Sequence, residues 1–367
     1  MLLISRVFLL LLLAIPANAS TEPFKLGTFE YEGRELLGVV LRDQHVIDLV
    51  IANTSMERHK PLWVKLPMPI DMTELIGRYE IGLRDRIHAI VDAVVFTIGF
   101  SNELSYVYDL SELHIFPPVK PKVILSAALN YREHMTEMTT GLAAEMSDAK
   151  AVDAAPQSMD HFWEREASDT RQNPYLFNKP ASIVIGDGDP ILLKPKREQI
   201  DWECEFAIVI GQPASHLPLE EARQHIFGYT IMNDVGDREG RGDNRYGSDW
   251  LVWKGSDTFA PLGPFIVPAE FVEDPHTLDI QFRLSGELMQ DANTELMQHS
   301  VDELVQFVSN NIILKPGDVI ATGTPGGVGY ARTPPVFMEP GDVAECSVEG
   351  IGTLTNPVMR WEDVMPR

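Results

Sequence analysis

Residues 200–211 read Ile200-Asp201-Trp202-Glu203-Cys204-Glu205-Phe206-Ala207-Ile208-Val209-Ile210-Gly211, and this stretch carries two signals at once. The apolar run after Glu205 has the look of a strand inside a core. In a strand, residues two apart face the same way, so Glu203 and Glu205 project together. Two carboxylates on one face repel unless a cation sits between them. A solvated strand face is the ordinary reading of such a pair, but it fits poorly beside a core strand. A second apolar strand pattern, residues 229–233, ends at Asp234. Taken as an all-oxygen set, these three acids suit Mg²⁺, Mn²⁺ or Ca²⁺ rather than Zn²⁺. Glu203, Glu205 and Asp234 are therefore the expected metal ligands.

Two further segments carry candidate chemistry. After the strand-like residues 123–128 comes Asn130-Tyr131-Arg132-Glu133-His134-Met135-Thr136-Glu137, which sets His134 and Glu137 three apart on one face of a helical turn. A carboxylate beside an imidazole can orient it and raise its basicity, as water activation requires, although a surface ion pair would read the same way. Residues 317–329 (GDVIATGTPGGVG) form a Gly-rich segment without the GK[ST] ending of a P-loop, which disfavours nucleotide binding. A strand running into such a Thr/Gly loop can present backbone N–H and hydroxyl donors to a carboxylate; a plain tight turn is the alternative.

The surrounding chain sets the limits. Its 367 residues are 44% hydrophobic, ordinary for a globular protein, and 30 Lys+Arg against 54 Asp+Glu give a formal charge of −24. That charge repels polyphosphates, which excludes nucleic acid as a partner, and it fits poorly with anionic membranes. Residues 1–20 (MLLISRVFLLLLLAIPANAS) combine one Arg, a short apolar core and small residues before Ser20, the pattern of a cleavable secretory signal with cleavage after Ala19. The mature protein is then expected outside the cytoplasm, most simply in a bacterial periplasm, with no membrane attachment after cleavage. Two cysteines exclude a disulfide scaffold and a Cys-rich zinc site. Cys204 and Cys346 both lie in strand-like segments; outside the cytoplasm they could pair, but they are read as separate buried thiols, the commoner outcome for two strand cysteines far apart in sequence.

Strand-like alternation covers residues 24–50, with a hairpin turning at Arg42-Asp43-Gln44, and helical periodicity covers residues 71–95. The Pro-rich joint 116–121 marks a boundary between a small N-terminal domain (20–116) and a catalytic domain (117–367). Beyond it, strand patterns dominate (122–128, 182–185, 191–194, 205–210, 227–233, 278–284, 318–321, 344–348), with helical patterns at 219–225 and 301–310. Strands without a regular βαβ rhythm indicate an α+β, β-rich fold. Residues 139–173 stand apart as a polar, alanine-containing insertion, read equally as a lid or a surface excursion.

Taken in order, "NYREH", "FNKP", "IDWECEFAIVIG", "GYTIMNDVGDR", "WKGSDTFAPLGP", "LKPGDVIATGTPGGVG" and "VEGIGTLTNPV" resemble the fumarylacetoacetate hydrolase family over about residues 121–358. The resemblance implies a mixed β-sandwich roll with a small N-terminal β-domain, usually assembled as a homodimer. It also implies that Glu203, Glu205 and Asp234 hold Mg²⁺ or Mn²⁺, and that His134 and Glu137 activate water. Lys254 would neutralise developing charge, and Thr324 would contact the substrate carboxylate. The sequence departs from the family where S-A-R-D-x-Q becomes Gly236-Asp237-Arg238-Glu239-Gly240-Arg241. Arg241 replaces the glutamine that often meets substrate, so Arg238 and Arg241 are taken as substrate contacts for a more anionic group.

The leading expectation is hydrolysis of a carbon–carbon bond in an acylpyruvate-like β-diketo acid, with a small oxo-acid as partner. The alternatives are isomerisation or decarboxylation of a 2-oxo or 2-hydroxymuconate-like diacid, and a non-catalytic periplasmic binding protein for metal-complexed dicarboxylates. A structural or adhesive exported protein is a further alternative, and it would show no dependence on divalent metal.

Overall fold

The computed structural model describes residues 22–59, 63–98, 104–139, 159, 163, 168–241 and 249–364. The signal-like residues 1–20, most of the 139–173 insertion and the side chain of Arg241 lie outside the described residues.

Alternating apolar residues build the N-terminal hairpins. Lys25–Tyr31 pairs with Arg34–Leu41, which pairs with His45–Asp48 across the turn at Arg42 and Asp43, both at positive φ. The helical pattern of residues 71–95 becomes two helices, Met72–Arg78 and Leu83–Ile98, separated by a 3₁₀ turn. Gly82, at φ 98°, supplies the left-handed residue that ends that turn. Asp71 starts the first helix by accepting from the Glu74 N–H. Leu75, Ile76, Ile87, Ile90, Val91 and Val94 are buried in the core. Glu270, on the far side of the chain, takes hydrogen bonds from Tyr79 Oη at 2.6 Å, His88 Nε2 at 3.1 Å and the Arg84 guanidinium. Glu270→Ala is expected to destabilise the protein by about 1–3 kcal/mol, since the partly buried Tyr79 hydroxyl loses its acceptor; urea denaturation measures this.

Among the described residues, twelve strands form one mixed sheet. Its spine runs Lys25–Tyr31, Ala260–Pro268, Ile226–Asn233, Cys204–Ile210, Val319–Ala321, Ile124–Ala127, Leu176–Lys179. The sheet therefore crosses the Pro-rich joint, with Leu26 opposite Ile266. A five-stranded sheet (Glu287–Asn293, Asp279–Leu284, Val343–Val348, Gly352–Arg360, Ile191–Leu193) belongs to the same apolar core. Trp202 stacks on Phe282 of that second sheet, ring centroids 5.2 Å apart.

One expectation is corrected. Cys204 and Cys346 are not separate thiols but a disulfide, with Cα atoms 5.5 Å apart. Cys204 opens a strand of the large sheet, and Cys346 lies within a strand of the smaller one. Strand alternation turns Cys204 to the face opposite its two glutamate neighbours, toward the second sheet, and topology brings Cys346 there across 142 residues of sequence.

Candidate metal centre and active site

The three acids meet as the spacing suggests. Glu203 immediately precedes the strand Cys204–Ile210 and Glu205 is its second residue, while Asp234 follows the end of its antiparallel neighbour Ile226–Asn233. All three are buried, and one oxygen from each lies within 4.8 Å of the others. Asp234 N–H donates to Glu203 O at 2.8 Å, fixing one ligand against another through the backbone.

Their charges are treated unequally. Lys254 Nζ lies 2.8 Å from Glu203 Oε2, and Arg238 donates to Glu203 Oε1 at 2.9 Å. Burial opposes ionisation of Glu203, but Lys254 and Arg238 outweigh it and hold the carboxyl down at about 2. Glu205 has no ion-pair partner among the described residues; its Oε2 accepts from the Gly323 N–H at 2.8 Å. Burial, reinforced by the charges of Asp234 and Glu203, pushes its carboxyl well above the usual range. Asp234 Oδ1 takes a hydrogen bond from Lys179 Nζ, while its Oδ2 is approached by Lys254 Nζ at 3.0 Å without a hydrogen bond. A buried carboxylate without its own cation, beside another oxygen lacking a hydrogen bond, fits a hard divalent ion.

The Gly-rich loop does present backbone donors, and these reach the site's own carboxylates. Gly323 serves Glu205, and Gly327 N–H donates to Glu137 Oε2 at 2.9 Å. Both glycines have positive φ, and an added Cβ would stand 2.8 Å from Asn130 Cβ at Gly323 and 2.3 Å from Met289 O at Gly327. His134 Nδ1 is 2.7 Å from Glu137 Oε1 on the helix Arg132–Thr139, as the three-residue spacing requires. His134 lies close enough to Glu203 to help keep it ionised. Thr324 Oγ1 donates to Cys204 O at 2.9 Å and accepts from Gln290 Nε2 at 2.8 Å, so it ties the loop to the ligand strand.

Arg238 has tasks that the sequence did not suggest. It is buried, donates to Asp201 Oδ2 as well as Glu203, and sits against the rings of Trp253 and Tyr330. Asp201 also accepts from the N–H groups of Gly329 and Tyr330, at 2.7 and 3.0 Å, anchoring the far end of the Gly-rich loop. Gly236, where the resembling sequences carry serine, has a reason. A Cβ there would lie 2.8 Å from Trp253 Nε1 and 3.3 Å from Lys254 Nζ.

Two residues escaped the sequence reading. Asp201 shares the odd-numbered register of Glu203 and Glu205, a signal that was present but unused. Lys179, the lysine of "FNKP", is fully buried between Asp234 Oδ1 and Val235 O. Burial draws its ammonium down to about 8, against the opposing pull of Asp234.

A buried carboxylate trio flanked by lysines and a His–Glu pair is a site suited to a hard divalent cation. The profile of the fumarylacetoacetate (FAA) hydrolase C-terminal family matches residues 123–359, and the chain belongs to that family. It is similar to the mitochondrial oxaloacetate tautomerase FAHD2B of Bos taurus, 40% identical over 250 residues covering 68% of this chain and 70% of that protein. It is likewise similar to the oxaloacetate tautomerase YisK of Bacillus subtilis, 31% identical over 340 residues, with 91% and 99% covered. Among solved structures it is similar to maleylpyruvate hydrolase from Sphingobium sp. SYK-6 in complex with manganese(II) and pyruvate. That likeness has a TM-score of 0.63 and 26% identity, covering 92% of this chain and 99% of the other.

Proposed function

We propose that the protein is a divalent-metal-dependent tautomerase of a 2-oxo dicarboxylate of the oxaloacetate class. The observation that carries this reading is the convergence of Lys179 and Lys254 on Asp234, beside a His134 oriented by Glu137. Keto–enol exchange needs a group to take the C3 proton and fixed positive charge where the oxyanion develops; both are provided without a leaving group or a nucleophile. The name of the Bacillus relative, which spans nearly its full length in common with this chain, supports the same reading.

Glu203, Glu205 and Asp234 would hold the ion, which when bound supplies Lewis-acid polarisation of the 2-oxo group. With Nδ1 engaged by Glu137, the imidazole of His134 exchanges protons at Nε2. That nitrogen takes the C3 proton, the C–H pair becomes the C=C bond, and the carbonyl oxygen gains the negative charge. The Lys254 ammonium stabilises that charge, and protonation at oxygen completes the enol.

A second reading, hydrolysis of an acylpyruvate, is favoured by one contact. Gly327 N–H holds Glu137 on the side away from His134, as a water-activating dyad would require. The test is to present oxaloacetate and a set of acylpyruvates with Mg²⁺ or Mn²⁺, following enol absorbance and pyruvate release separately. Accelerated ketonisation without pyruvate supports the tautomerase; pyruvate from acylpyruvates replaces it with the hydrolase. In either reaction His134→Asn is expected to lower kcat by about 10²-fold or more while Mg²⁺ affinity measured by calorimetry is retained.

A further inference from the structure

We propose that the Cys204–Cys346 disulfide is a positioning element of the carboxylate site, so that divalent-cation affinity depends on whether the two sulfurs are bonded. The proposal rests on the reading of Glu203, Glu205 and Asp234 as cation ligands.

Cys204 stands between two of those ligands. Its side chain takes the opposite face, where its sulfur joins Cys346 in the second sheet. The covalent tie therefore acts on the peptide units that carry Glu203 and Glu205. It acts where the strand has lost part of its own support. Pairing of Cys204–Ile210 with Val319–Ala321 covers only residues 207–209. Beyond it, Cys204 relies on side chains on that flank: its N–H donates to Gln290 Oε1 at 3.2 Å, and its carbonyl accepts from Thr324 Oγ1 at 2.9 Å. Gln290 belongs to the same second sheet as Cys346. That sheet thus grips the ligand-bearing segment twice, once by a hydrogen bond and once covalently.

A grip of this kind has a physical use here. Glu203, Glu205 and Asp234 repel one another, and Glu205 has no ion-pair partner among the described residues. A cation needs all three carboxyl groups ionised and close together, and in that state their mutual repulsion favours an outward shift of the segment. A tie on the reverse face resists the shift and keeps the ligands preorganised. By linkage, if the disulfide raises cation affinity, the bound cation favours the disulfide by the same factor.

Mg²⁺ and Mn²⁺ affinities are measured by calorimetry on the oxidised full chain and on Cys204→Ala/Cys346→Ala, with the electron paramagnetic resonance line shape of bound Mn²⁺ recorded for both. The proposal expects cation binding about 10–100-fold weaker in the variant, with an altered Mn²⁺ signature. A lowered melting temperature with unchanged affinities makes the disulfide merely structural and overturns the proposal.

The reciprocal experiment needs no variant that folds. The wild-type chain is equilibrated in glutathione buffers, approached from both oxidised and reduced sides, with and without saturating Mg²⁺. Two glutathione thiols are oxidised to one glutathione disulfide as the protein disulfide becomes two thiols. Mg²⁺ is expected to shift this balance toward the protein disulfide about 10-fold or more; a balance indifferent to Mg²⁺ overturns the proposal. If the oxidised wild type binds neither ion, the cation reading itself fails and takes the proposal with it. If it binds and the variant binds equally, only the positioning role fails.

Discussion

Glu205→Gln is expected to abolish divalent-metal binding and cut turnover by about 10²–10³-fold, while leaving the metal-free protein as stable as the wild type or more so. The loss of turnover follows from the several kcal/mol of charge stabilisation that a Lewis acid supplies, each 1.36 kcal/mol being a factor of ten. The stability result follows from burial and from the Asp234 and Glu203 charges, which push the Glu205 carboxyl well above its ordinary 4.5. The metal-free native state then retains a proton that the unfolded chain releases above 4.5. Unfolding free energy therefore falls as pH rises through the window between 4.5 and the raised folded value. Below 4.5 the contribution is fully present. Glutamine keeps the shape and the acceptor for Gly323 N–H without that decline. Denaturation between pH 4.5 and 8, with and without Mg²⁺, measures both effects. Wild type should gain about 2.7 kcal/mol at 100 times its Kd for Mg²⁺, and the variant nothing. A variant that still gains this stabilisation would remove Glu205 from the ligand set.

Arg238→Met is expected to destabilise the fold by about 3–5 kcal/mol, the usual consequence of leaving buried charges without their partner. Asp201 and Glu203 both pair with this guanidinium, at 2.8 and 2.9 Å, accepting its hydrogen bonds, and both are buried. Asp201 in turn holds Gly329 and Tyr330, so the Gly-rich loop that supports Glu137 and Glu205 should loosen as well. The measurement is the urea midpoint, with kcat and KM determined on the folded fraction. Stability within about 1 kcal/mol of wild type, accompanied by a raised KM alone, would instead place Arg238 against substrate.

The family and the β-rich α+β class were legible from seven ordered motifs, and the disposition of the site was legible in part. The alternation of Glu203 and Glu205 and the three-residue step from His134 to Glu137 are geometric consequences of a strand and a helical turn. Asp234 followed from its place just beyond an apolar strand. Lys179 was quoted inside a motif without a role, because nothing near it in sequence is acidic; Asp234 reaches it only from 55 residues away.

Residues 200–211 by themselves determined that two carboxylates share one face and that Cys204 takes the other, because a strand's period of two fixes both. Which charge neutralises which was decided by the tertiary structure alone. Sheet order and register set Asp234 beside Glu203, turn Lys179, Lys254 and Arg238 inward, and bring Cys346 to Cys204. Local geometry is written in spacing, whereas a buried charge takes its state from neighbours the chain supplies tens of residues away.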